Sequence, residues 1–162
     1  MLPEAPFGYE SRMPRFEEAS TLQSVGRDVQ GREVQLSPLT ARAWSEMKRA
    51  GGAAGIDLQL ISGFRSINRQ REIIERKRDK GESFEQILRV SAYPGFSEHH
   101  TGRAVDIGSP HAEPLTETFE STPEFRWLTA HGFEFGFCLS YPKSNSQDIA
   151  YEPWHWCYRM DA

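Results

Sequence analysis

The sequence predicts an α+β fold, and three observations carry the prediction. Helical periodicity clusters in the first half and short alternating strands dominate the second. The regular strand-helix alternation of a doubly wound sheet is missing. At 162 residues, with 38% hydrophobic and 12% aromatic side chains, there is enough apolar surface for one core and too little length for two ordinary domains. The expected form is a small, mainly antiparallel sheet with helices packed on one side and a cleft on its open face.

Residues 1–20 carry three prolines and many charges without periodicity, so they are expected to lie on the body as an extended arm, with residues 21–162 forming a single domain. From Leu22 to Leu36, Val25, Val29, Val34 and Leu36 alternate around Gln30-Gly31, a hairpin pattern. Ser37-Pro38 supplies an N-cap and a first-turn proline, and Leu39, Ala43, Met47 and Ala50 fall on one face of a helix that Gly51-Gly52 should stop. Ile56, Leu58 and Leu60 then alternate with polar residues as a half-buried strand.

The strand delivers the chain to Ser62-Gly63-Phe64-Arg65-Ser66, a strand-to-helix loop of the kind that presents functional groups. Arg65 is a candidate anion contact there, with a surface salt bridge as the plain alternative. Ser66 can cap a helix carrying Gln70 and Ile74, and a capping box, Ser83-x-x-Gln86, opens another with Phe84, Ile87 and Leu88 inward. Tyr93-Pro94-Gly95 breaks it. After a polar loop over 109–121, Pro123 begins a third helix, capped by Ser121 or Thr122, with Phe125 and Leu128 inward and Gly132 as its stop. Phe133–Leu139 and Trp154–Tyr158 complete the set as strands.

A net charge of -4 argues against a nucleic-acid binder that neutralises phosphates. The basic cluster Arg71, Arg76, Lys77, Arg78 and Lys80 is interleaved with Glu72, Glu75 and Asp79, the pattern of a solvated helix face. No run has the length of a signal peptide or membrane span, so the chain reads as soluble, with a removed signal or anchor left open. Cys138 and Cys157 lack CxxC spacing and read as two separate thiols, a disulfide between neighbouring strands being the alternative.

Chemistry concentrates in SEHHTGRAVDIG, residues 97–108, and EPWHW, residues 152–156. Strand parity sets Asp106 opposite Val105 and Ile107, and a carboxylate in apolar surroundings needs a cation, a metal or an arginine. The Gly102 turn folds His99 and His100 back toward it. Successive residues point apart, so only one histidine should ligate, and parity does not choose between them. Pro153 disfavours helix geometry at Glu152, which separates Glu152-x-x-His155 from the helical HExxH motif. Trp154 and Trp156 should pack opposite His155. Two imidazoles, a carboxylate and a spare glutamate are the parts of a hydrolytic zinc site.

Together SGFRS, Ser97-x-His99-x-x-Gly102-x-Ala104-x-Asp106 and Glu152-Pro153-Trp154-His155 resemble the VanY-like D,D- and L,D-carboxypeptidases, zinc peptidases of the group that includes lysostaphin-type enzymes and the hedgehog domain. The resemblance runs from about Leu39 to Tyr158. It implies Zn2+ held by His99, Asp106 and His155, Glu152 as general base, Arg65 on a carbonyl or carboxylate oxygen, and Ser97 and Gln70 in the substrate pocket. It leaves His100 without a catalytic role. The implied activity is removal of the terminal D-alanine from peptidoglycan stem peptides by a monomeric enzyme of the periplasm or cell envelope. An endopeptidase of the same group and a catalytically silent zinc-containing module are the alternatives.

Overall fold

A computed structural model describes residues 1–160, and among them two antiparallel sheets and five α-helices build the fold. The N-terminal arm is extended apart from one turn, α1 (Tyr9–Arg12), which starts at Gly8 in a left-handed conformation. It is anchored by its side chains: Tyr9 and Met13 are buried, and the Tyr9 hydroxyl accepts the Tyr93 N–H at 2.8 Å.

Strands β1 (Gln23–Arg27) and β2 (Glu33–Leu36) form the expected hairpin. Asp28 closes it by accepting the backbone N–H groups of Gln30 and Arg32. Helix α2 (Pro38–Ala53) follows with Ala43 and Met47 of the expected stripe buried, but Leu39 is exposed and Ala50 only half-buried, and Thr40, Trp44 and Gly51 complete the inward face. Trp44 is the largest side chain available, and the helix is turned to bury it. Nor do Gly51 and Gly52 stop the helix, which runs on to Ala53 with Gly51 buried beside Leu58 and Ile56, and the left-handed residue after it is Gly55.

Strand β3 (Gln59–Ser62) leads through the SGFRS loop into α3 (Ile67–Asp79), capped by Ser66, and then α4 (Phe84–Val90), opened by the expected Ser83/Gln86 capping box. A 3-10 turn, Glu98–Thr101, precedes β4 (Ala104–Gly108). The loop after β4 is not wholly irregular, since a 3-10 turn at Glu117–Ser121 buries Phe119. Thr122 caps α5 (Pro123–His131). The helix stops at Gly132 as expected, but the chain goes on in a 3-10 turn through Phe135 to the left-handed Gly136, so β5 is only Phe137–Leu139. That leaves Phe133, expected in a strand, exposed. β6 (His155–Tyr158) ends the fold.

The larger sheet has the order β3-β4-β6-β5, antiparallel throughout, so the last strand is inserted between β4 and β5. Val105, Ile107 and Trp156 enter the main core with α2, α5 and the hairpin. A second core joins α3 and α4 to the arm through Tyr9, Ile74, Ile87 and Phe96. Cys138 and Cys157 sit opposite each other on β5 and β6, both as free thiols. Among the described residues no helix is long and apolar enough to cross a membrane.

Candidate active site

Strand register assembles the site. β4 pairs with β3 and β6 so that Ser62, Asp106 and His155 lie in one row across the sheet. Because Val105, Ile107 and Trp156 face the core, Asp106 and His155 project from the other face, as strand parity requires. The turn at Glu98–Thr101 adds His99, and it ends at Gly102, whose φ of 70° is unfavourable for other residues.

His99, Asp106 and His155 are all buried, and their potential ligand atoms lie within 4.8 Å of one another. His99 Nε2 is 3.3 Å from Asp106 Oδ1, and His155 Nδ1 is 3.2 Å from the same oxygen. Donors on a tetrahedral zinc ion with bonds of about 2.0–2.1 Å are separated by about 3.3 Å, and the two edges to Asp106 have that spacing. The remaining nitrogens are occupied. His99 Nδ1 lies 2.8 Å from the Gly63 carbonyl oxygen, and His155 Nε2 lies 2.8 Å from Glu98 Oε1.

Burial favours neutral forms, and nearby charge decides where it loses. Burial lowers the pKa of His99, which suits a ligand lone pair. Burial also disfavours charge on Asp106 and His155, but His99 and then His155 override it at Asp106, and the carboxylates override it at His155. Asp106 is held well below the usual carboxylate range, and Asp106 with Glu98 raises His155 to about 10. Glu152 goes the other way. Its Oε2 is 3.7 Å from His155 Nδ1, and burial, reinforced by Asp106, raises its pKa to about 7 against the pull of His155 and Arg65. A buried carboxyl that titrates near neutrality is suited to moving protons.

A cleft of about 350 Å³ opens onto this cluster, and α3 forms one wall through Gln70, Ile73 and Lys77. Arg65 lines it, its guanidinium donating to Gln70 Oε1 at 2.9 Å and Ser62 Oγ at 3.1 Å. Gln70 is fully engaged, because its amide nitrogen donates to the Ala92 carbonyl at 2.7 Å. Ser97 also lines the cleft, and its hydroxyl oxygen accepts the His99 N–H. Lys77 leaves the solvated face assigned to its neighbours and donates to Ser91 Oγ at the cleft wall. Trp156 is buried opposite His155, whereas Trp154 stays partly exposed and reaches the cleft.

His100 is buried away from the cluster, with Nδ1 2.7 Å from the Arg65 carbonyl oxygen and Nε2 accepting the Gly95 N–H. It ties the Arg65 loop to the turn before the 3-10 helix. Sequence reasoning passed over two residues here. Tyr141 lays its ring 4.8 Å from that of His155, and Glu98 contacts His155 Nε2. The spacing of neither signals the contact.

The VanY family, D-alanyl-D-alanine carboxypeptidase, matches residues 33–161. The Bacillus subtilis (strain 168) protein YodJ is 40% identical over 123 residues, which is 73% of this chain and 44% of YodJ. This chain therefore spans less than half the length of that relative. Among solved structures, the LD-carboxypeptidase LdcB, described in terms of peptidoglycan recognition, has a TM-score of 0.71 at 32% identity over 89% of this chain and 65% of its own. The vancomycin-resistance D,D-pentapeptidase VanY, solved in complex with Zn(II), has a TM-score of 0.66 at 27% identity over 85% of this chain and 78% of its own.

Proposed function

The chain belongs to the VanY family of D-alanyl-D-alanine carboxypeptidases, and from that premise we propose a zinc-dependent enzyme that removes the terminal D-alanine of peptidoglycan stem peptides. The observation that carries the reading is the pair of 3.2–3.3 Å edges joining His99, Asp106 and His155, with Glu152 beside the same His155 nitrogen. His99, Asp106 and His155 hold the ion. Zinc, when bound, polarises the scissile carbonyl and lowers the pKa of a bound water toward about 7. Glu152 takes the proton of the attacking water and passes it to the leaving amine. Arg65, fixed by Ser62 and Gln70, presents its guanidinium to the carbonyl oxygen as negative charge develops. Ser97 and Gln70 shape the pocket around the terminal residue.

Every group in this scheme comes from one chain, consistent with a monomer whose catalytic domain is residues 21–162 with the arm of residues 1–20 packed on it. A stem-peptide substrate places the enzyme in the periplasm or cell envelope. The test is D-alanine release from pentapeptide and tetrapeptide stems, which separates D,D from L,D cleavage. Release should disappear with chelator and return with zinc. Glu152→Ala should keep its zinc and lose at least about a hundredfold in rate. Near-normal turnover by that variant, or one equivalent of bound zinc without release from any wall peptide, would refute the assignment.

A further inference from the structure

We propose that Glu98 is a positioning residue that fixes the tautomer and ring orientation of His155, so that Nδ1 faces the metal and Nε2 carries the proton. The inference rests on the zinc-site reading above and goes beyond it. A ligating imidazole nitrogen must offer a lone pair, so its hydrogen belongs on the other nitrogen, which needs an acceptor. At His155 that other nitrogen is Nε2, 2.8 Å from Glu98 Oε1, while Nδ1 faces Asp106 and Glu152. The His155 side chain is 4% exposed, so water is no substitute partner. An unpartnered buried N–H pays its desolvation without return.

Glu98 is built for the task. Its second oxygen accepts from Arg159 Nη2 at 2.8 Å, and the same Arg159 nitrogen lies 3.2 Å from Ser140 Oγ. The Glu98 side chain is 9% exposed and clamped from both sides. At His99 the equivalent acceptor is a backbone carbonyl, that of Gly63. The two imidazoles are thereby held in opposite senses, His99 through Nε2 and His155 through Nδ1. Glu98 immediately precedes His99, so the turn that delivers one ligand also delivers the acceptor that orients the other.

The test combines zinc affinity, by chelator competition, with histidine 15N spectra of the zinc-loaded protein. Glu98→Ala should weaken zinc by about 10–100-fold. Glu98→Gln, which keeps an acceptor oxygen, should lose less. In the zinc-loaded wild type the His155 ring should show a protonated Nε2 and a metal-bound Nδ1. A folded Glu98→Ala protein that binds zinc as tightly as wild type overturns the proposal, and so does a wild-type ring protonated at Nδ1. The ring assignment decides the matter even if Glu98→Ala fails to fold. Wild type with the expected tautomer but no D-alanine release would keep this proposal and remove the proposed activity. Wild type that binds no zinc would remove both.

Discussion

Glu152 shows how burial can be turned to chemistry at a single residue. Enclosure raises its carboxyl to about 7, with Asp106 adding to the shift and His155 opposing it. A carboxyl with a raised pKa is protonated below that value and becomes a base only above it. A bound divalent cation favours the carboxylate and draws the midpoint down. With zinc saturating, kcat/KM should therefore rise with pH through a single ionisation at or below about 7 and then level off. A pH–rate profile lacking that acid limb would remove Glu152 from the role of base. At this scale the sequence was informative about residue types and silent about contacts. Spacing and parity brought Asp106, Glu152, His155 and the pair His99 and His100 to notice, the family resemblance alone chose His99, and the structure gathers the four with His100 turned away. Glu98 was illegible, because its contact depends on which nitrogen of His155 faces it, and no spacing encodes a ring orientation.

At the level of elements, the site depends on how tightly the SGFRS loop seats on the hairpin. A Cβ at Gly63 would lie 2.6 Å from Val34 Cγ1 and 2.8 Å from the Gln35 carbonyl oxygen, so only glycine fits there without displacement. The next residue, Phe64, donates its N–H to Gln35, and the Gly63 carbonyl faces His99 Nδ1. Gly63→Ala should consequently do two things at once: lower stability by about 1–3 kcal/mol through overpacking, and weaken zinc about tenfold by shifting the His99 partner. Thermal melts and chelator competition check both, and wild-type values in each would show that the loop is not what holds His99. The elements that were legible are those decided locally. The hairpin and the Ser83/Gln86 capping box are examples, since their partners lie within a few residues. The end of α5 was legible too, since the helix stops at His131 with Gly132 as its C-cap, but that of α2 was not, because the helix runs on through Gly51 and Gly52 to Ala53 with Gly51 buried beside Leu58. A glycine's part there is set by a distant neighbour.

For the whole molecule, the α+β class and the antiparallel sheet were readable, but the strand order was not. Nothing local says that the C-terminal strand is inserted between β4 and β5. That insertion carries His155 to Asp106 from 49 positions away, so a metal held by both ties the last strand to the middle of the chain. Ligand binding to the folded state at about 100 times Kd contributes about 2.7 kcal/mol, which in a chain of this size corresponds to about 5–11 °C in Tm. The size of this gain should depend on pH. Although burial opposes it, Asp106 and Glu98 raise His155 to about 10. In chelator-stripped protein, the stability this imidazolium contributes is fully present below the unfolded pKa of about 6.5 and is lost as pH rises through about 10. Zinc must displace the Nδ1 proton, so its apparent affinity should rise by up to about tenfold per pH unit between about 6.5 and 10. Melts of stripped and zinc-loaded protein at fixed free zinc should accordingly show a larger difference at pH 8 than at pH 6. A zinc-induced shift that is absent, or larger at pH 6, would mean that His155 does not exchange a proton for the metal.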